Sequence, residues 1–276
     1  MLKCEFCHKD IPDPWTDATR FCSQICAGKS KTAAKEIRNI RVCKHCGKEF
    51  ILENIAYERR GYGTYCSIAC RRFATKKFSL NESYFHDINS EDKAYWLGFC
   101  FADAYNSGDE LRFNLAIKDM SHLYKLQNSL ESNKFPKESK DNKFCNIRFG
   151  SRILCNDLIN LGCVPKKSLI LKYPTINSIY DRDFIRGVFD GDGCMYFGHG
   201  TRQWSIYSGS EQFIAKIHEI LLQKGIGVKL RKQGIGFVIS LTRKSEINKI
   251  YHYMYDNSSL FLERKRNKFI EAGVSC

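Results

Sequence analysis

The sequence predicts an α+β protein in which two small cysteine-rich modules precede a duplicated helix–strand–strand–helix–strand–strand–helix unit. Three observations predict this class: two cysteine quartets near the start, two similar segments in the rest of the chain, and apolar residues with strand-like or helical periodicity between them. We expect the two modules at residues 1–40 and 41–80, and the two repeats at residues 91–180 and 181–276.

The composition predicts a folded, basic protein. The chain has 276 residues, of which 43% are hydrophobic and 13% aromatic, so it can bury a core and is not expected to be disordered. Its net charge of +14 favours a polyanionic partner such as nucleic acid. Basic proteins without such a partner exist, so the charge alone does not decide the function.

Two features bear on the compartment. No apolar run approaches the roughly 20 residues that a membrane span needs, and the first residues lack the apolar core of a signal peptide. We therefore expect a soluble protein of a reducing compartment, the cytoplasm or nucleoid, with no membrane partner. In such a compartment 14 cysteines favour metal binding over disulfides.

Eight of the cysteines form two quartets with nearly the same spacing. Two thiolates separated by two residues can hold one ion, and a second pair from a later segment can complete a tetrahedral zinc site. The modules are too small to bury a sufficient core, so bound metal would supply their folding energy. Two structural Zn²⁺ sites are therefore predicted, at Cys4, Cys7, Cys22 and Cys26, and at Cys43, Cys46, Cys66 and Cys70.

The charge of the cysteine-rich region favours contact with nucleic acid. Residues 1–80 contain 16 Lys and Arg against 8 Asp and Glu. We expect the zinc modules to assist DNA binding through this charge, with a solvated basic face as the alternative. A Lys/Ala-rich segment at residues 29–38 is interpreted as a linker.

The chain after residue 91 is built twice. Aligning Gly98 with Gly187 places Asp103 on Asp192, an offset of 89. Farther on, the segment at 113–130 matches that at 204–221 with an offset of 91. Ordered similarity of this kind indicates duplication.

Alternation in the strands predicts one polar face for each repeat. In the first repeat Leu111, Phe113 and Leu115 share one face, which leaves the polar residues between them on the other. Arg, Lys, Asn and Gln can contact base edges and phosphates, although any half-solvated sheet has a polar face. The candidate DNA-binding residues are Arg112, Asn114, Lys118, Asn146 and Arg148 in the first repeat, and Gln203, Ser205, Tyr207, Lys229 and Arg231 in the second.

The first helix of each repeat ends in an acid. Small residues four apart, Gly98 with Ala102 and Gly187 with Gly191, would let the two helices pack closely. Asp103 and Asp192 would then meet where both helix ends are already negative. Such carboxylates repel each other unless a cation lies between them, and Mg²⁺ suits carboxylate and phosphate oxygens.

The segments "WLGFCFADA" and "IRGVFDGDG" resemble the two motif copies of single-chain LAGLIDADG homing endonucleases, and the resemblance extends from about residue 91 to 272. The first copy departs from the family pattern at Phe101 and Ala104 but keeps Asp103. The resemblance implies sheets that lie in the DNA major groove and a monomer that cuts both strands, usually to spread a mobile element.

The resemblance also implies site residues. Asp103 and Asp192 would hold catalytic Mg²⁺ and activate water for phosphodiester hydrolysis. Lys143 matches the position of the basic residue that the family often places near each centre, with Arg231 or Lys232 as its substitute in the second repeat. The terminal basic segment would contact phosphates unless it is a solvated helix; its cations are Arg264, Lys265, Arg266 and Lys268.

Two other functions remain open from the sequence. The same fold serves RNA maturases, which would bind intron RNA and assist splicing. A regulator could bind DNA without cutting it. Retention of Asp103 and Asp192 favours an enzyme that cleaves.

Overall fold

The computed structural model describes residues 2–11, 19–52, 63–75 and 78–274. The chain divides into two compact units, Met1–Lys77 and Phe78–Cys276. The predicted limits of the individual modules and repeats within these units stay predictions. None of the helices in the described residues is both long and apolar enough to cross a membrane.

The first unit repeats one small pattern around each cysteine quartet. A turn with two cysteines is followed by a helix that carries the last cysteine. Equivalent hydrogen bonds join Glu5 N–H to the carbonyl oxygen of Arg20 and Lys44 N–H to that of Thr64. The segment 29–38, interpreted as a linker, lies within one continuous helix. The elements are α1 (Gln24–Asn39), β1 (Ile40–Val42), β2 (Glu49–Ile51) and α2 (Ile68–Ala74).

The first repeat has the predicted order of elements. Ser90 and Ser151 cap its first and last helices, and their hydroxyl oxygens accept hydrogen bonds from Lys93 N–H and Leu154 N–H. The elements are α3 (Glu91–Asp103), β3 (Tyr105–Asn106), β4 (Glu110–Ala116), α4 (Met120–Ser129), β5 (Lys137–Glu138), β6 (Phe144–Gly150) and α5 (Arg152–Asn160).

The second repeat has the same order and one additional helix at its end. The predicted fold class is therefore confirmed, while the additional helix goes beyond the duplicated unit. The elements are α6 (Asp181–Asp192), β7 (Cys194–Gly198), β8 (Thr201–Ser208), α7 (Glu211–Gln223), β9 (Lys229–Gln233), β10 (Gly236–Leu241), α8 (Lys244–Tyr255) and α9 (Glu263–Glu271).

Each repeat contains one antiparallel four-stranded sheet. The strand orders are β3-β4-β6-β5 and β7-β8-β10-β9, so the two sheets have equivalent topology. Their inner faces belong to one continuous apolar core that both repeats share; for example, Phe113 pairs with Ile147 and Trp204 pairs with Leu241, and all four side chains are buried. The opposite faces are left for solvent or a partner.

Candidate functional site

Two glycines set the distance between α3 and α6. A Cβ atom added to Gly98 would lie 2.0 Å from the carbonyl oxygen of Phe184, and one added to Gly187 would lie 2.0 Å from that of Tyr95. The offset of 89 residues that places Gly98 on Gly187 also places Tyr95 on Phe184, so the two contacts are equivalent. The helices therefore pack backbone against backbone across an approximate twofold axis.

The same packing brings the carboxyl ends of the helices together. A Cβ atom added to Gly191 would lie 2.3 Å from the Cβ of Ala102 and 3.2 Å from the carboxylate Oδ2 of Asp103. Asp103 is half-buried in this position, whereas Asp192 remains exposed to solvent. We call this region, with Asp103 and Asp192 at its centre, the acidic seam.

Neither carboxylate of the acidic seam is fully compensated by the protein. Burial, and then the charge of Asp192, raise the pKa of Asp103 to about 6. Partial burial of its carboxyl group also raises the pKa of Asp192, although the residue remains accessible to solvent. The negative charges are therefore unfavourable in the protein alone, as expected of a site that accepts a cation.

Two lysines from distant segments occupy the ends of these helices. The Nζ of Lys265 is buried and donates hydrogen bonds to the carbonyl oxygens of Phe189 at 3.0 Å, Gly191 at 2.9 Å and Gly193. The Nζ of Lys167 donates to the carbonyl oxygen of Ala104. Each lysine thus satisfies helix carbonyls and places a positive charge against the negative end of the helix.

These lysines correct one step of the sequence argument. The helix ends do have cations, but the cations come from residues far along the chain. Their charges lower the pKa values of Asp103 and Asp192, although burial still keeps both above the ordinary value. Lys167 and Lys265 therefore reduce the charge imbalance of the acidic seam without removing it.

The basic residues expected near the acids have other surroundings. Lys143 lies on the exposed hairpin before β6, where its carbonyl oxygen accepts a hydrogen bond from Ile117 N–H. Arg231 and Lys232 lie on the exposed strand β9. The charged groups that act on Asp103 include Asp192, Lys265, Lys167, Asp119 and Arg264. The role expected for Lys143 stays a prediction.

The outer face of the first sheet carries the expected polar residues in register. Arg112 pairs with Arg148 across β4 and β6, and Asn114 pairs with Asn146 in the next row. Lys118 departs from the expectation, because β4 ends at Ala116 and Lys118 lies in the 3-10 turn before α4. The chain leaves the sheet there to begin that helix.

The outer face of the second sheet is different. Tyr207 pairs with Val238, which pairs with Arg231 on the edge strand β9. In the next row Ser205 pairs with Ser240, which pairs with Lys229 in turn. Gln203 pairs with Tyr196 on the other edge. The two faces share topology but differ in chemistry.

Helix α9 directs its cations mostly into intramolecular contacts. Lys265 is buried at the end of α6, and the guanidinium of Arg264 binds the Asp119 carboxylate through Nε at 3.0 Å and Nη2 at 2.8 Å. Arg266 lies over the ring of Phe261, and Lys268 pairs with Glu271. The phosphate contacts expected of the four cations stay a prediction.

Both cysteine quartets have the geometry of a metal site. Within each quartet the four Sγ atoms all lie within 4.8 Å of one another. Cys22 Sγ is 3.5 Å from those of Cys7 and Cys26, and the Sγ of Cys66 is 3.6 Å from Cys46 and 3.5 Å from Cys70. A four-thiolate set at these distances fits Zn²⁺.

The thiols of each quartet titrate unequally. Burial opposes the thiolate of Cys4, but N–H groups including that of Cys7 donate to it and lower its pKa to about 6; Cys43 has the same shift. Contact with Cys26 and Cys7 raises the pKa of Cys22 to about 12. Four neighbouring thiolates therefore need a cation, as a structural metal site does.

Comparison with known families gives a match for the second repeat. Residues 180–254, which contain α6 and the sheet of the second repeat, match the family model described as LAGLIDADG-like domain. This segment is similar to a LAGLIDADG-like domain. The first repeat, outside the matched residues, has a sheet of the same topology. None of the curated proteins matches the chain.

Several solved structures are similar to this chain at low sequence identity. The LAGLIDADG meganuclease I-AabMI bound to uncleaved DNA is 12% identical, with a TM-score of 0.48 over 64% of this chain and 88% of that one. Full-length WhiA from Thermatoga maritima is 15% identical, with a TM-score of 0.43 over 71% and 66%. I-DmoI in complex with DNA and Mn is 14% identical, with a TM-score of 0.44 over 65% and 100%.

The two LAGLIDADG helices differ at the first acid of the motif. In α6 this acid is Asp190, which is buried and accepts hydrogen bonds from Tyr95, Tyr255 and Leu262 N–H at 2.7 to 2.9 Å. In α3 the equivalent residue is Phe101, which packs on Phe184 and Phe213. This position is structural in both copies, so the departure at Phe101 leaves the acidic seam intact.

Sequence reasoning missed Lys167 and assigned Lys265 to a different contact. Both lie in segments that follow the sheets, far from the motif helices along the chain. The only sequence signal was the acid at each helix end, which requires a cation from elsewhere but does not identify it.

Proposed function

We propose that this protein is a site-specific endonuclease that hydrolyses phosphodiester bonds in both strands of duplex DNA with Mg²⁺. The acidic seam is the observation that carries the proposal. Two closely packed helices bring Asp103 and Asp192 together where burial and mutual repulsion raise the pKa of Asp103 to about 6. Lys265 and Lys167 supply positive charges that act on both acids.

The donor set fits the metal. Carboxylate oxygens are hard ligands of the kind that Mg²⁺ prefers, so Asp103 and Asp192 would hold it. A bound divalent cation would neutralise charge on the scissile phosphate and lower the pKa of a coordinated water. This chemistry requires an accessible site, and Asp192 is exposed.

The protein's own residues would position the reaction. Gly98 and Gly187 fix the distance between the helices, and Lys265 and Lys167 hold the helix ends while they limit the repulsion of the acids. The outer sheet faces would hold the duplex, since they carry Arg112 and Arg148 in a chain of net charge +14.

The proposal extends to the oligomeric state, the zinc modules and the biological role of the cleavage. Both acids belong to one chain, so a monomer would suffice to cut both strands. The zinc modules would extend the DNA contact through their positive charge. Cutting at one long site would serve the spread of a mobile element.

The test is cleavage of a randomised duplex library in Mg²⁺, followed by sequencing of the ends. We expect discrete staggered ends that disappear in the Asp103→Asn, Asp192→Asn double variant. The control variant is Asp256→Asn, which removes an exposed acid that pairs with His252, and it should cut normally. Retention of intact duplex without any ends would favour a regulator, and binding only to folded intron RNA would favour a maturase.

A further inference from the structure

We infer that Arg264 of α9 binds the scissile phosphate on the Asp103 side of the acidic seam, and that the strand held there is cut before the strand on the Asp192 side. The inference rests on the proposed function, because it requires duplex DNA at the acidic seam. It adds that a helix from the second repeat completes the centre of the first, which makes the two centres unequal.

Asp119 orients Arg264 and does not cap its own helix. It lies at the N-cap position of α4, where an aspartate ordinarily accepts a hydrogen bond from a backbone N–H of the first turn. Asp119 makes no such bond; its two carboxylate oxygens accept hydrogen bonds from Arg264 Nε at 3.0 Å and Nη2 at 2.8 Å. The side chain of Asp119 is only 5% exposed, so this contact fixes the direction of the guanidinium.

Ser210 occupies the equivalent position of the second repeat and has a different role. The offset of 91 places Asp119 on Ser210. The hydroxyl oxygen of Ser210 caps α7 by accepting a hydrogen bond from Phe213 N–H, and the hydroxyl donates to the carbonyl oxygen of Leu171. Ser210 therefore performs the capping that Asp119 does not, and it has no carboxylate with which to hold an arginine.

The guanidinium of Arg264 keeps donors for a ligand. Its Nε and Nη2 are bonded to Asp119, whereas its Nη1 donates to none of the residues that the structure describes. The side chain is 39% exposed, so a group from outside the protein can approach it. The planar fork of donors in arginine matches the oxygens of a phosphate.

Arg264 lies close to the acidic seam. The next residue, Lys265, donates to the carbonyl oxygen of Gly191, which places this turn of α9 at the end of α6. The hydrogen bonds with Asp119 raise the pKa of Arg264, and the charge of Asp103 raises it as well. The Arg264 charge therefore acts on the acid of the first repeat, although Arg264 belongs to the second.

The neighbouring lysines are bound to the protein and not available in the same way. Lys265 is 8% exposed and donates to three carbonyl oxygens at the end of α6. Lys167 donates to the carbonyl oxygen of Ala104. Arg264 is thus the cation of this region that combines a fixed orientation with an exposed group.

A guanidinium in this place makes one of the two reactions faster. Negative charge on the scissile phosphate increases as water attacks phosphorus, and a cation already oriented toward that charge lowers the barrier. The phosphate on the Asp103 side receives this cation from Arg264. The strand on that side is therefore cut first, and a nicked duplex accumulates before both strands are cut.

Cleavage resolved by strand tests the order of cutting. The full chain is mixed in Mg²⁺ with a duplex selected from the randomised library, each strand with its own label, and Asp103→Asn identifies the strand that depends on Asp103. We expect the wild type to cut this strand faster by about tenfold to 100-fold. Arg264→Gln should slow it to the rate of the other strand and leave the other rate unchanged. Equal slowing of both strands, or no change in either, would overturn the inference.

A second variant separates this role from stability. Asp119→Ser combined with Arg264→Gln removes both members of the pair, so no carboxylate remains buried without its partner, and it gives the first repeat the serine that the second has at position 210. The double variant should stay folded in urea denaturation and should cut both strands at similar rates. The control is Lys216→Gln on α7, which removes an exposed pair with Glu219 and should keep the faster strand. A folded double variant that keeps the faster strand would contradict the role of Arg264.

Binding without divalent cation gives a readout that requires no cleavage. Duplexes with one uncharged methylphosphonate are scanned through the centre of the selected site. At one linkage the wild type should lose affinity by about tenfold to 100-fold, whereas Arg264→Gln should bind that duplex and the unmodified one alike. The same losses for both proteins at every linkage would overturn the inference.

The two proposals fail differently. A duplex that is bound but never cut would contradict the endonuclease, and the methylphosphonate scan would still decide whether Arg264 binds a phosphate. Equal rates for the two strands of the wild type would overturn the order of cutting and leave the endonuclease standing. Absence of any bound or cut duplex would overturn both.

Discussion

At the residue scale, Gly98 and Gly187 have the clearest physical requirement in the protein, because any side chain there would meet the backbone of the facing helix. Alanine is favoured over glycine in a helix interior by about 1 kcal/mol. The contact at 2.0 Å opposes this preference, and overpacking in a core costs about 1–3 kcal/mol or more.

We therefore predict that Gly98→Ala lowers the free energy of unfolding of residues 78–276 by about 3 kcal/mol. Urea denaturation followed by circular dichroism would measure it. The matched control is Gly150→Ala at the end of β6, where an added Cβ meets nothing within 4 Å and the φ angle is not in the left-handed region. The control should change stability by less than about 0.5 kcal/mol. Equal effects of the two changes would contradict the close helix packing.

His122 gives the protein a specific pH dependence. Tyr95 donates its hydroxyl proton to Asp190, so the Nε2 of His122 must be the donor in its 2.9 Å contact with that hydroxyl. Burial, and then the charge of Lys125, lower the pKa of His122 to about 3. The folded protein therefore holds this histidine neutral while the unfolded chain protonates it below about pH 6.5.

The sign follows from proton uptake. Below about pH 6.5 the unfolded state binds the extra proton, so stability should fall by about 1.4 kcal/mol per pH unit until the folded pKa is reached. In His122→Gln this part of the slope should be absent, so between pH 6.5 and 5 the variant should lose about 2 kcal/mol less than the wild type. Urea unfolding at several pH values would measure both slopes, and identical slopes would contradict the prediction.

At the element scale, α9 joins the two repeats. Arg264 binds the buried Asp119 of the first repeat through two nitrogens, and Glu263 pairs with Lys125 of α4 at 2.5 Å. Lys265, the residue after Arg264, donates a hydrogen bond to the carbonyl oxygen of Gly191 in the acidic seam. The helix thus lies in the second repeat along the sequence, but its side chains contact both repeats.

Removal of one partner of the ion pair between Arg264 and Asp119 should show how much this contact stabilises the fold. We predict that Arg264→Ala destabilises residues 78–276 by about 2 kcal/mol, because it leaves the Asp119 carboxylate buried without its partner. Removing one partner of a fully buried ion pair costs about 3–5 kcal/mol. The expected loss is smaller here because Arg264 is partly exposed. Lys268→Ala, which removes only an exposed pair on the same helix, should cost less than about 0.5 kcal/mol. Thermal unfolding of both variants tests this, and equal losses would count against it.

The same elements show what sequence could predict. Alternation and helical spacing predicted αββαββα units, because strands such as β4 bury one face and expose the other. The register of Arg112 with Arg148 followed only once the structure aligned β4 with β6. The contacts of Lys167 and Lys265 could not be predicted, since they depend on how the chain returns to the helix ends after each sheet.

At the scale of the whole molecule, the two units should respond differently to loss of metal. We predict that the intact protein binds two Zn²⁺ and that Cys26→Ser and Cys70→Ser each remove one. A strong chelator should unfold the cysteine-rich unit, because the metal supplies its folding energy, and leave residues 78–276 folded.

Metal analysis and limited proteolysis would measure both effects. The control is Cys155→Ser, which changes a buried cysteine outside the quartets and should keep both ions. Two bound Zn²⁺ in either quartet variant, or resistance of the first unit to protease after chelation, would contradict the prediction.

The most direct test of the account measures cleavage of each DNA strand separately in Mg²⁺, with the selected duplex labelled at both ends. The wild type should cut both strands. Asp103→Asn and Asp192→Asn should each lose cutting of at least one strand and their combination should lose both, while all three variants still bind the duplex. A double variant that cuts both strands at the wild-type rate would contradict the claim that the acidic seam carries the chemistry.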